Sequence, residues 1–282
     1  DIKKLIVPAN IKYIQSGAFE NCVNMNKLVL AEGEDRLDAE SDAFKNCGIE
    51  KVTIGRNLKV SIFVRNAILA KVLFGSNIKN IPDDAFYGCS NLSSVDLSNV
   101  ESIGNGAFAS TKLENVEIPA QLSYLGTSVF SDCTSLTRVS IKANITSIPN
   151  GCFQGCSSLS SVEYPASVTV IGESAFSGCG FTSFKLNGNV TEIQREAFSS
   201  CKNLENMEWG NVSLIGFNAF EDCGFKELSL PASLCDIYMN AFAYCKNLVK
   251  VDLSKTNVKE IGCFANCYAL EEVRFPQNLT GI

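Results

Sequence analysis

Phenylalanine recurs at positions 19, 44, 63, 86, 108, 130, 153, 176, 198, 220, 242 and 264, and all but two of the intervals are 22 or 23 residues. A unit of this length cannot bury an apolar face alone, so consecutive copies must stack and share one continuous core. Residues 136–158 read LTRVSIKANITSIPNGCFQGCSS, 159–180 read LSSVEYPASVTVIGESAFSGCG and 248–269 read LVKVDLSKTNVKEIGCFANCYA. Each copy carries an apolar triplet such as Leu136, Val139 and Ile141, a turn with Pro, Gly or Asn, a second apolar pair such as Ile145 and Ile148, and then Ala-Phe-x-x-Cys.

The first segment alternates apolar and polar residues and is rich in Val, Ile and Leu, the pattern of a short strand with one buried face. Phe and Cys stand three apart, which suits one face of a helical turn. Pro82 followed by Asp83 and Asp84 reads as a helix start. Gly48, Gly180 and Gly224 directly follow the repeat Cys, where a helical turn takes a left-handed stop. The expected fold is therefore an α/β solenoid. Its strands stack into a parallel sheet, and short helical or 3₁₀ turns follow each strand.

The L-x-x-L-x-L strand and the period near 22 residues resemble leucine-rich repeats, and the I-G/P-x-x-A-F-x-x-C tail is similar to the BspA-like subclass. The resemblance covers essentially all 282 residues and implies one right-handed superhelical domain of about twelve repeats, with the sheet on the concave side and the turns on the other. Departures are visible: Asn66 and Thr111 replace the repeat Cys, the copy around Phe63 is short at 19 residues, and the copy before Phe44 is long at 25. Local irregularity is expected there. Leu5–Val7 ends a strand whose repeat begins before residue 1, and the chain stops inside a thirteenth copy, so the array is expected to continue past one or both ends, or these ends to pair with a neighbour.

The absence of histidine removes Ser-His and Cys-His catalytic pairs, His-ligated zinc and any imidazole pH switch. Ser and Asp recur equivalently from copy to copy, with no glycine-rich phosphate loop or isolated carboxylate pair, so no enzyme, small-molecule substrate or cofactor is expected. A net charge of −6 argues against nucleic acid. No run of eighteen apolar residues occurs, so no membrane span is expected; nor does the segment carry a signal-peptide pattern.

Ten of the thirteen cysteines occupy one repeat position. Rungs about 5 Å apart could bridge on distance alone, but translated copies point their sulfurs in parallel, so buried free thiols beside the Phe spine are expected. Cys152 and Cys263 precede their Phe without acidic or His partners in register, which disfavours metal. Cys235 fills a variable position and is the candidate reactive thiol if exposed. Sequons stand at Asn91, Asn144, Asn189, Asn211 and Asn278; four share a repeat position with other asparagines, so the residue reads first as a turn-former. Glu32, Glu34, Asp35, Asp38, Glu40 and Asp42 crowd the long copy; their spacing does not match an EF-hand loop, and a solvated insertion is expected rather than a calcium site.

Translation stacks outward strand residues into columns. One begins Lys27, Lys51, Lys71; its neighbour includes Val29, Thr53, Leu73, Asp96, Glu117, Glu163 and Glu208. Residues 1–80 carry a net +3 and residues 81–282 a net −9. Beside the plain solvated sheet stands a functional reading: the lysine end docks an anionic group of a protein partner, and the acidic row of Asp96, Glu117, Glu163 and Glu208 a basic one. These columns hold no aromatic platform for sugars, and Trp209 and Tyr164 fall in core register. The resemblance implies a cell-surface or secreted adhesin-type scaffold attaching to host or microbial proteins. An intracellular interaction or effector module and a passive spacer stay open beside it.

Overall fold

The computed structural model describes residues 2–282 as a parallel-strand β-solenoid of about twelve turns, divided into two compact units, Asp1–Asn144 and Ile145–Ile282. In the first unit the strands Lys4–Val7, Lys27–Leu30, Lys51–Ile54 and Lys71–Phe74 form one parallel sheet, and Asn115–Ile118 pairs with Arg138–Ile141. In the second, Ser183–Lys185 pairs with Asn206–Glu208, and Glu227–Ser229, Lys250–Asp252 and Glu272–Arg274 form a sheet. Equivalent residues face one another, as Leu28 does Val52 and Leu228 does Val251. The apolar alternation fixes this register, because a one-residue slip would turn every core side chain outward.

A second ladder runs through the Ile-x pairs; Ser147–Ile148, Val170–Ile171, Glu192–Ile193, Leu214–Ile215 and Asp236–Ile237 form one sheet in the second unit. Between the two ladders lies the Phe spine. Phe153, Phe176, Phe198, Phe220, Phe242 and Phe264 stack with ring centroids 5.2–5.7 Å apart, in the range of favourable offset stacking. In the first unit Phe63, Phe86, Phe108 and Phe130 stack likewise. Trp209 is buried edge-on to Phe220, and Tyr164 is half-buried against Phe184, both facing the core as their register requires.

The segment around each Phe departs from the expected helical turn: among the described residues there is no helix. Positive φ recurs two residues before and two after the Phe, at Asp84 and Gly88 around Phe86, Gly106 and Ser110 around Phe108, and Asn240 and Tyr244 around Phe242. A left-handed residue every fourth position stops an α-helix before it closes a second turn. Alternate N–H groups leave the segment altogether: Asp84, Phe86 and Gly88 donate to Asn105, Ala107 and Ala109 of the next copy, while Ala85, Tyr87 and Cys89 close single turns onto Pro82, Asp84 and Phe86. Each Phe segment is thus a third rung between copies.

Gly48, Gly180 and Gly224 correct a second expectation, since their φ is not left-handed. A Cβ there would lie 2.1 Å from the Val23 carbonyl oxygen, 2.3 Å from that of Ser157 and 2.4 Å from that of Lys202. Glycine is required by close approach of the preceding copy.

The cysteine ladder is a hydrogen-bonded one. Cys47, Cys89, Cys133, Cys179, Cys201, Cys223, Cys245 and Cys267 are free thiols, and each Sγ donates to the carbonyl of the Phe one copy back at 2.9–3.3 Å. Burial pushes the thiols of Cys89 and Cys201 up to about 12. Thr111, in the place of a rung, donates to its own Phe108 carbonyl and meets Cys133 Sγ at 3.2 Å.

One irregularity falls where copy length departs from the norm. Phe19 stacks on Phe44 and Phe63 on Phe86, but among the described residues no ring contact joins Phe44 to Phe63. A cavity of about 520 Å³ opens there. In the long copy Asp35 pairs with Lys12, Asp38 with Lys59, and Asp42 accepts from Ser16 at 2.8 Å, while Tyr13 donates to Glu40. Arg56, absent from the sequence-derived candidates, is fully buried under this insertion and donates to the carbonyls of Ala9 and Pro8. Burial lowers its pKa, and its Nε has no partner. Equivalent positions hold Ala120 and Ala143, so no repeat pattern announces it.

Candidate functional site

Lys4, Lys27, Lys51 and Lys71 face one another across four strands, so the lysine column is one member longer than the sequence reading gave. Adjacent ammonium stems start about 4.8 Å apart. Among the described residues none of the four is in an ion pair, whereas Lys12, Lys45, Lys59 and Lys79 each hold a carboxylate. Beside it runs Ile6, Val29, Thr53 and Leu73, with Ile6 54% and Leu73 39% exposed. Unpaired cations next to exposed apolar groups present an amphipathic surface whose mutual repulsion an anionic partner would relieve.

The acidic row is less uniform. Glu117 is exposed on its strand opposite Ser140. Asp96 lies outside any strand, and its carboxylate accepts the Ser98 N–H at 2.9 Å, which lowers its pKa. Glu163 ends the strand Ser161–Glu163. Glu208 pairs with Lys185 across adjacent strands at 2.6 Å. Further on, Glu272 meets Lys250 and Arg274 at 3.9 and 2.9 Å beside a shallow depression of about 350 Å³. The second unit therefore presents alternating, mutually compensated charge, and the first an uncompensated lysine column.

The asparagines bind backbone. Asn189, Asn211 and Asn257 donate through Nδ2 to Ala166, Gly188 and Ala232 at 2.7–2.8 Å. Cys235 is exposed. Among the described residues no three Cys, Asp or Glu side chains gather as a metal site, and no helix is long and apolar enough to cross a membrane.

Parallel strands in translational register, with one apolar ladder per copy, define a leucine-rich repeat solenoid. The family model "BspA type Leucine rich repeat region (6 copies)" matches residues 1–67, 58–181 and 169–282, and the chain belongs to this family. It is similar in fold to a leucine-rich repeat protein of Bacteroides ovatus, with TM-score 0.61 and 22% identity over 99% of this chain and 82% of that one. A protein of Eubacterium ventriosum matches with TM-score 0.57 and 16% identity over 99% and 80%. A leucine-rich cell surface protein of Faecalibacterium prausnitzii matches with TM-score 0.53 and 20% identity over 96% and 78%. No curated protein matches the chain. The family is one of repeat scaffolds.

Proposed function

We propose that the chain is a non-enzymatic scaffold on a cell surface or in secreted form, binding proteins through its strand face. The observation that carries this is the column Lys4, Lys27, Lys51 and Lys71, aligned and unpaired beside exposed Ile6 and Leu73. Like charges held in register cost free energy that the fold itself does not need. An acidic segment of a partner laid across these strands would gain from each lysine, and the apolar column would bury part of its length. Within the same unit Glu117, exposed on its strand, offers a charge of opposite sign and would orient such a partner. The surface location is supported by the family and by the described character of the F. prausnitzii relative.

The test is binding to a panel of immobilised extracellular matrix proteins, native chain against Lys27→Glu/Lys51→Glu/Lys71→Glu. Binding that falls about tenfold or more with the charge reversal supports the reading. Binding insensitive to it refutes the lysine face, and no binding to any panel member favours a spacer.

A further inference from the structure

The Ile-x ladder in the second unit is continuous except at one step. Ser213 donates to Thr191, Cys235 and Asp236 to Ser213, and Thr280 and Gly281 to Lys259. Among the described residues no backbone hydrogen bond joins Cys235–Ile237 to residues 258–261, although Asn257 to Leu234 and Asn240 to Gly262 close the copies on either side. The cause is in the sequence. Ile237 precedes its Phe by five residues, as Ile215 and Ile193 do, whereas Ile261 precedes Phe264 by three. Phe264 keeps its place on Phe242 at 5.7 Å, so the two missing residues are taken from the strand segment, which is drawn off the ladder.

The opening is a cavity of about 630 Å³, within the ~300–1,000 Å³ of ligand clefts. Cys235 and Ile237 line it, their carbonyls accept no backbone N–H among the described residues, and its walls also carry Asp236, Asn257, Lys259, Glu260 and Asn278. Tyr238 lines it, 42% exposed, and the Phe217 ring of the preceding copy, outside the cavity, stands 4.8 Å from its own. We infer that this break in the ladder is a binding site for a neutral mono- or disaccharide. A sugar ring offers an apolar C–H face for Tyr238 and hydroxyls that both donate and accept, matching the Asp236 and Glu260 carboxylates, the Lys259 ammonium and the open backbone groups. Two carboxylates against one lysine disfavour anionic sugars and phosphates. Flanking bonds on both sides of the gap exclude an inserted peptide strand. This site is separate from the lysine face and stands whether or not that face binds protein.

The experiment is saturation-transfer difference NMR with methyl mannoside, methyl galactoside, methyl glucoside, N-acetylglucosamine, lactose and cellobiose, with N-acetylneuraminic acid as the anionic control. At least one neutral glycoside is expected to receive saturation on its C–H face. Tyr238→Ala, at an exposed site, should weaken binding about tenfold. Inserting Ser-Ala between Gly262 and Cys263 restores the five-residue spacing and should abolish it. No transfer to any neutral sugar, transfer to the anionic control alone, or binding unchanged in Tyr238→Ala would each overturn the inference.

Discussion

Two glycines two residues apart in one copy are required for opposite reasons, and exchanging them tests the turn architecture. Gly178 has φ +71°, and a Cβ would meet nothing closer than Gly155 Cα at 3.6 Å, an ordinary contact. Alanine there costs ~1–2 kcal/mol for the left-handed backbone, offset by ~0.4–1 kcal/mol of unfolded-chain entropy, a net loss of about 1 kcal/mol. Asparagine, which tolerates that conformation, should cost about half as much. Gly180 is not left-handed, and its Cβ would sit 2.3 Å from the Ser157 carbonyl oxygen and 3.4 Å from that of Leu159. Relieving such an overlap moves backbone of the preceding copy, about 2–3 kcal/mol as overpacking penalties run. Alanine and asparagine should be equally bad. Urea unfolding followed by circular dichroism, extrapolated linearly to water, measures all four variants. If Gly180→Asn lies within about 0.5 kcal/mol of the native chain while Gly180→Ala does not, Gly180 is a left-handed helix stop and the close-approach account is wrong.

Phe198→Ala should destabilise by about 3–5 kcal/mol, since Phe198 is fully buried between Phe176 and Phe220; a loss under about 1 kcal/mol in urea titration would mean the spine does not carry the core. Thiol labelling of the native protein at pH 8 should modify exposed Cys235 first, with the buried rungs reacting only on denaturation; equal rates for Cys235 and Cys201 would contradict the burial. Because burial raises the folded pKa of Cys89 and Cys201 from 9.0 to about 12, the protonated thiol is favoured by folding. Their contribution is intact below pH 9 and is lost between pH 9 and 12, about 1.4 kcal/mol per pH unit for each group. Unfolding titrations across that window should be steeper for the native chain than for Cys201→Ala, and identical slopes would refute the linkage.

The strand register was legible because L-x-x-V-x-I alternation admits one inward set, and translation then places Lys27, Lys51 and Lys71 in a column without further information. The Phe segment was misread because an i, i+3 Phe-Cys pair suits a helical turn and a chain of single turns alike. The deciding signal was present at Gly106, Ser110, Asn218 and Asp222, small or turn-forming residues two places either side of Phe. Arg56 was illegible, since its carbonyl partners at Pro8 and Ala9 are 48 and 47 residues away and depend on how the long copy folds over it. Of the candidate site, the register of Lys27, Lys51 and Lys71 on adjacent strands followed from the repeat alone. Glu208 proved to be balanced by Lys185 on the adjacent strand, and Asp96 to be held in a turn with Ser98, because local hydrogen bonds compete with column position for a carboxylate.

The claim that the lysine face binds anionic protein is tested most directly by titrating a fluorescent deca-glutamate peptide into the native chain, Lys27→Glu/Lys51→Glu/Lys71→Glu and Glu117→Lys at two salt concentrations. Saturable binding that weakens with salt, is lost in the triple variant and persists in Glu117→Lys is the predicted result. Equal binding by the native chain and the triple variant would contradict it.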